Sequence, residues 1–167
     1  MRQRLCAKSA VAMTGVLLAL AVYACTPAFA GEHVDGYRGA TWGMSAGEVR
    51  GTIKELGLKY VDYEKIVVRD RMFGTDAEIK YLAGEGMPLI TVRVTVKKPA
   101  GGKVPYDRIK SALTEKYGTP LKKRVGHEDD RLEMWLIGQT SIWLMVDDAE
   151  NFAVIVYTDV EAEKRYY

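Results

Sequence analysis

Cysteine is almost absent from this chain of 167 residues, which has only Cys6 and Cys25. Both precede Ala30, where we place the end of a targeting segment. The 137 residues that follow therefore have no disulfide, no thiol nucleophile and no thiolate metal site. An exported domain without disulfides must be stabilised by its hydrophobic core, and a chain of this length is long enough to build one.

Histidine is equally scarce, with only His33 and His127. No serine or threonine is placed beside a base, and Gly84-x-Gly86 is not followed by the helix that a phosphate loop needs. The run His-Glu-Asp-Asp at 127–130 has side chains of the types that bind a divalent cation, and a hydrolase could use the same loop. Consecutive residues, however, rarely converge on one ion. A solvated hairpin loop is the favoured interpretation. We therefore predict no enzyme activity, no catalytic residue, no metal site and no cofactor.

Long apolar runs are missing except near the N-terminus. Residues 10–24 are apolar but short for a membrane span, and three basic residues precede them. Ala28-Phe29-Ala30 then matches an A-x-A cleavage site. The pattern predicts a signal peptide at 1–30, a periplasmic or secreted protein, and no membrane span in the mature chain.

A second interpretation of the same segment concerns Cys25. The sequence Val22-Tyr23-Ala24-Cys25 resembles a bacterial lipobox, in which the cysteine is lipidated and becomes the new N-terminus. The alternative localisation is therefore a membrane-anchored lipoprotein held by a lipid at Cys25.

No charge of one sign dominates the chain, which has 24 basic and 22 acidic residues. Removal of residues 1–30 removes three basic residues and no acidic one, which leaves 21 basic and 22 acidic side chains. Because the mature chain has no basic excess, we predict that its partner is not a nucleic acid.

The clearest local pattern is a helix at about 45–56. Ser45 can act as N-cap, and Glu48 three residues later completes a capping box. Gly57 suits the left-handed residue that ends a helix, and Leu58 can fold back onto Ile53. A second helix is predicted at about 105–117, between Pro105 and Gly118.

Strand patterns follow each of these helices. The lead-in segment, 31–37, is polar and predicted to be mobile, and 69–75 is predicted to be a polar connection. Strands are predicted at 58–68, 76–82, 89–97, 131–137, 141–147 and 152–158. This order predicts an α+β fold: a tandem repeat of one helix plus a three- to four-stranded antiparallel sheet. Residues 31–167 would form a single domain with halves at about 38–98 and 103–160.

Two short motifs resemble known exported domains. Trp42-Gly43-Met44-Ser45-x-x-Glu48-Val49 resembles the opening of the first helix in bacterial domains of the SmpA/OmlA type. Tyr117-Gly118-Thr119-Pro120 resembles the Gly-x-Pro ending of a helix in the same group, although here about 65 residues separate the two motifs. The tandem order of helix and sheet resembles the β-lactamase inhibitor protein fold. These resemblances imply a periplasmic, non-enzymatic module for protein binding or envelope assembly.

The last three strands are apolar on both faces. If Gly138-Gln139-Thr140 is a three-residue hairpin loop, Trp135 lies opposite Trp143. A turn at Ala149-Glu150 then places Met145 opposite Val154 and Trp143 opposite Val156. The predicted partner face consists of five residues: Trp135, Trp143, Met145, Val154 and Val156.

An antiparallel sheet with one wet side alternates apolar and polar residues, so something is expected to cover this second apolar face. Three explanations remain open: another part of the chain, a partner protein or second copy, and a small apolar ligand. Aromatic residues and methionine are enriched in interface cores. Our main hypothesis is an envelope protein-interaction module, whose partner is another envelope protein or a second copy. The alternative is a periplasmic binding or sensor domain for a small apolar ligand.

Overall fold

A computed structural model describes residues 34–121, 131–147 and 151–166. The predicted signal peptide, the lipidation site Cys25 and the His127 loop lie outside these ranges. The strands are β1 Gly36–Tyr37, β2 Ala40–Thr41, β3 Lys59–Asp62, β4 Val67–Met72, β5 Thr75–Gly84, β6 Met87–Lys97, β7 Leu132–Ile137, β8 Thr140–Asp147 and β9 Phe152–Asp159. The helices are α1 Ala46–Glu55, α2 Tyr106–Tyr117 and α3 Val160–Tyr166.

The main sheet has seven antiparallel strands in the order β3-β4-β5-β6-β9-β8-β7. Strands β1 and β2 form a separate small hairpin. The strands that follow α1 and those that follow α2 are not two sheets, because β6 pairs with β9 along its length and joins them. The chain is therefore α+β with antiparallel pairing, as predicted.

Helices α1 and α2 share one face of this sheet, here called the helix face. Val49 and Ile53 of α1 and Ile109 and Leu113 of α2 belong to one core cluster with the side chains of alternate strand residues. The strand members include Val68, Ile79, Tyr81, Val92, Val94, Val96, Trp135, Ile142, Leu144, Ala153, Ile155 and Tyr157. The opposite side of the sheet is here called the outer face.

The ends of α1 are those that the sequence predicts. The Ser45 hydroxyl accepts a hydrogen bond from the Glu48 backbone N–H at 3.4 Å, and the Glu48 carboxylate accepts one from the Ser45 N–H at 2.8 Å. At the other end, Leu58 N–H donates to Ile53 C=O at 3.3 Å, and Gly57 has φ 65°. The capping box and the Schellman-type ending are both confirmed.

The predicted connection at 69–75 is wrong. The range 69–75 contains most of β4, which turns into β5 through Phe73 and Gly74, both with positive φ (54° and 82°). Such a pair is typical of the type I′ hairpin turns that match strand twist. Arg38 and Gly39 make a similar turn between β1 and β2, with φ of 50° and 79°.

The described part of the lead-in segment packs against the domain instead of extending from it. The Thr140 hydroxyl donates to Val34 C=O at 2.5 Å and accepts from the Trp42 indole N–H at 2.9 Å. The Tyr37 ring lies 4.9 Å from the Tyr157 ring on the helix face. These long-range contacts, which no local pattern reveals, place the small hairpin on the core.

Candidate functional site

Strands β7 and β8 pair one residue away from the predicted register. Gly138 and Gln139 alone form the turn, so Trp135 lies opposite Ile142, and Trp143 lies opposite Met134. Gly138 takes φ 58° at the first turn position, where a type II′ turn favours glycine. Because side chains alternate along a strand, this one-residue difference moves all of β7 to the other face.

Trp135 is therefore a core residue and not part of a partner face. Its side chain is 1% exposed, and its indole N–H donates to the Gly118 carbonyl at 2.8 Å. Gly118 ends α2, where carbonyl groups lack partners within the helix, so the indole satisfies one of them. The Gly-x dipeptide at 138–139 was the sequence signal for this register.

The other four predicted residues do share the outer face. Trp143 pairs in register with Val156, and Met145 with Val154, as predicted. The corrected register of β7 adds three more apolar residues to this surface. The resulting apolar strip consists of Leu132, Met134, Leu136, Trp143, Met145, Val154 and Val156.

Exposure varies across the apolar strip. Leu136 is 50% exposed and Met145 is 39% exposed, whereas Val154 is only 3% exposed. The most exposed side chains of the strip therefore lie on β7 and β8, and its most buried side chain lies on β9. Neither α1, α2 nor the β1–β2 hairpin covers it, because all three pack on the helix face.

Helix α3 lies at one end of this surface. The Val160 N–H, at its start, donates to Gln139 C=O in the β7–β8 turn at 2.9 Å. Thr158 and Ser141, paired on the outer face at this end, are 5% and 7% exposed. Ala162 of α3 is buried but does not belong to the core cluster. We infer that α3 shields this end and leaves the apolar strip beside it.

The outer face changes character at the junction of β6 and β9. On β4, β5 and β6 it carries five basic and two acidic residues: Arg69, Arg71, Lys80, Arg93, Lys97, Asp76 and Glu78. Arg71 pairs in register with Asp76, and Arg69 with Glu78. Lys80 instead pairs with Arg93, and both are exposed. Arg93 is in turn the neighbour of Val156 in the apolar strip.

A concave feature lies on the helix side. A cavity of about 440 Å³ opens between the β1–β2 hairpin, the β4–β5 turn and the C-terminal half of α2. No tryptophan lines it. Its apolar wall includes Tyr37, Met72, Phe73, Tyr117 and Tyr157, and we call it the tyrosine cleft.

Burial dominates the electrostatics of the tyrosine cleft. Burial raises the pKa of Tyr37 to about 12 and raises that of Tyr157 well above its usual range. Arg38 at the edge forms an ion pair with Asp70. The buried hydroxyl of the neighbouring Tyr81 has no hydrogen-bond partner among the described residues.

No group of three or more His, Cys, Asp or Glu side chains within the described ranges could hold a metal ion. A search of those same residues finds no helix with the length and hydrophobicity needed to cross a membrane. No protein-family model matches the chain, and no curated protein or solved structure is significantly similar to it.

Proposed function

We propose that this chain is a non-enzymatic interaction module of the bacterial envelope that recognises another protein, or a second copy of itself, through the outer face of its sheet. The feature that carries the proposal is the apolar strip, which α1, α2 and the β1–β2 hairpin leave uncovered. The helix face already supplies a core that spans the whole sheet. A second apolar surface on the same strands is therefore not needed for the fold.

The composition of the strip supports recognition of a protein. Tryptophan and methionine are enriched at the centres of interfaces, where a few large side chains supply most of the binding free energy. Trp143 and Met145 occupy neighbouring outer-face positions on β8, and Val154 and Val156 lie beside them on β9. The proposal also includes two interpretations of the sequence: the tandem repeat and the resemblance to the β-lactamase inhibitor protein fold. Both are compatible with a protein-binding module.

The test is a charged substitution on the strip with a matched control. Met145→Glu changes a residue that is 39% exposed, so we expect the fold to tolerate it. Leu56→Glu, at the end of α1, changes a residue that is 50% exposed on the other side of the molecule. We expect Met145→Glu alone to abolish self-association, measured as molar mass against concentration, or retention of a partner from envelope extracts. Unchanged association by Met145→Glu would refute the proposal.

Export is part of the same proposal. The basic, apolar and A-x-A pattern of residues 1–30 supports a periplasmic or secreted mature protein, and the lipobox-like sequence supports a lipoprotein as the alternative. The mass of the mature protein distinguishes them, since cleavage after Ala30 and lipidation of Cys25 give different N-termini. A full-length mass would contradict both.

The tyrosine cleft favours a second candidate function, the binding of a small, largely apolar ligand. Its volume falls within the range of small-molecule sites, and aromatic side chains form much of its wall. It lies away from the tryptophans, where the sequence had placed such a site.

Anilinonaphthalene sulfonate, an aromatic fluorescent dye, is a suitable probe for this second candidate. Ala112→Trp places a large side chain in the cleft wall, whereas Ser111→Trp adds the same side chain at the exposed neighbouring position of α2. We expect only Ala112→Trp to reduce dye binding. Equal binding by both variants would show that the dye, and this function, do not use the cleft.

A further inference from the structure

The strongest unexplained feature outside the apolar strip is the lysine–arginine pair next to it. Lys80 and Arg93 are directly opposite on neighbouring strands, where side chains leave the sheet about 5 Å apart. Like charges at such positions destabilise a sheet. Neither side chain has an ion-pair partner among the described residues, although Glu78 and Asp76 lie on the same strand.

The pair is also aligned with the apolar strip. One row across the outer face runs from Lys80 through Arg93, Val156 and Trp143 to Met134, each in register with the next. Two adjacent cations are thus followed at once by three apolar side chains. The boundary between them follows the junction of β6 and β9.

From this row we infer that the partner is an acidic protein segment with an apolar stripe, which places a carboxylate between Lys80 and Arg93 while its apolar side chains pack on Val156 and Met134. This inference rests on the proposed function and specifies the chemistry of the partner. A carboxylate shared by two cations forms charge-assisted hydrogen bonds and removes the repulsion between them. The arrangement that is unfavourable in the isolated protein becomes favourable in the complex.

Two other anionic partners fit the same face less well. A lipid bilayer is bound by apolar residues that enter it by about 5–10 Å, whereas only Leu136 and Met145 of the strip are exposed and Val154 is 3% exposed. A nucleic acid is bound by neutralising many phosphates along a tract. Here Asp76 and Glu78 lie among the basic residues, and Glu78 forms an ion pair with Lys97, so the region is short and of mixed charge rather than a tract.

The experiment uses three helical peptides that share one leucine stripe. The residues that flank the leucine stripe are glutamate in the first peptide, lysine in the second and glutamine in the third. Binding of each dye-labelled peptide to the purified protein is measured by fluorescence anisotropy at low and high salt. We expect the glutamate peptide to bind at least roughly tenfold more tightly than the lysine peptide, with an advantage that falls as salt is added.

Two double variants test the residues. Lys80→Glu/Arg93→Glu is expected to weaken binding of the glutamate peptide by roughly tenfold or more and to favour the lysine peptide. Lys54→Glu/Lys103→Glu changes the net charge equally at exposed positions away from the outer face, and is expected to leave the affinities unchanged. Circular dichroism of both variants checks that each is folded.

Several outcomes would overturn the inference, and they differ from failure of the proposed function. Equal affinity for the glutamate and lysine peptides would exclude an acidic protein segment as the partner. Tighter binding to phosphatidylglycerol vesicles or to duplex DNA would assign the face to a lipid surface or a nucleic acid. If Met145→Glu abolishes peptide binding but Lys80→Glu/Arg93→Glu does not, the strip is an interaction surface whose partner is not acidic. If no peptide binds, the acidic segment is rejected, and the association test of Met145→Glu decides the proposed function separately.

Discussion

Trp135 and Trp143 lie on adjacent strands of one sheet but on opposite faces, and their surroundings differ in kind. On the helix face Trp135 is buried, and its indole N–H has a carbonyl partner. Polar groups on the same face also have partners, since Glu133 accepts a hydrogen bond from Tyr106 and forms an ion pair with Lys110. Trp143 belongs to an outer face on which Met145 and Leu136 are exposed and Lys80 lies opposite Arg93.

Under the proposed function, this difference separates a face that stabilises the fold from a face that contacts another molecule. On a face that serves folding, most buried polar groups are satisfied within the chain, because an unsatisfied group costs about 1–3 kcal/mol; among the described residues, the Tyr81 hydroxyl is an exception on the helix face. A face that serves recognition can retain exposed apolar groups and unfavourable charge pairs, since a partner resolves them. The two faces can therefore be separated by substitutions that affect stability on one side and association on the other.

The largest expected effect distinguishes the two tryptophans. Trp135→Ala removes a fully buried side chain and leaves Gly118 C=O without its donor, so we expect a loss of about 3–5 kcal/mol in the free energy of unfolding. Trp143→Ala removes a partly buried side chain and should cost about 1 kcal/mol. Urea denaturation measures both. Equal losses would show that the two faces do not differ in this way.

Alkaline pH is expected to act on the helix face through two buried tyrosines. Burial raises the pKa of Tyr37 to about 12, and burial together with Glu133 raises the pKa of Tyr106 to about 12. Both rings ionise more readily in the unfolded chain, near pH 10. Their neutral forms therefore stabilise the fold fully below about pH 10, and this stability is lost as the pH rises toward 12.

Denaturation across this pH range tests the origin of the loss. Tyr37→Phe cannot ionise and should reduce the decrease in stability between pH 10 and 12. Tyr63→Phe, at a ring that is 59% exposed, is the matched control and should leave the decrease as it is. An identical pH profile for the two variants would argue against a buried, neutral Tyr37.

A glycine substitution tests whether the lead-in segment belongs to the helix face. A Cβ on Gly36 would lie 1.9 Å from the Ala40 carbonyl oxygen, so Gly36→Ala must separate β1 from β2. We expect a loss of about 2 kcal/mol by urea denaturation. Gly84→Ala meets no atom within 4 Å and should be almost neutral. A neutral Gly36→Ala would mean that the hairpin does not contribute to stability.

The smallest expected effect has the opposite sign. Lys80→Glu places a carboxylate opposite Arg93 and should raise the free energy of unfolding by about 0.5 kcal/mol. The same substitution is expected to weaken binding of an acidic partner. A stabilised variant with impaired binding would show that the cation pair is kept for recognition. Lower stability by thermal denaturation would mean that Lys80 and Arg93 do not repel one another in the folded protein.

Local patterns predicted much of the secondary structure. The capping box of Ser45 and Glu48 and the ending at Gly57 defined α1, because these signals lie within a few residues of one another. Alternation in 89–97 identified the clearest strand, and the pairing of Met145 with Val154 was also predicted. The position of β4 was missed because its charged outer residues Arg69 and Arg71 made it resemble a loop.

The sequence by itself determined the α+β class, the ends of α1 and most of the strands, since capping, turn chemistry and side-chain alternation act over short distances. Only the tertiary structure decided that both strand groups form one sheet, that the β1–β2 hairpin packs on it, and that Trp135 faces the helices. The last point depended on a single residue in a turn, and a register shift of one residue exchanges the two faces of a strand. The row from Lys80 to Met134 crosses five neighbouring strands of the sheet. Its residues are far apart in the sequence, so no local pattern could predict it.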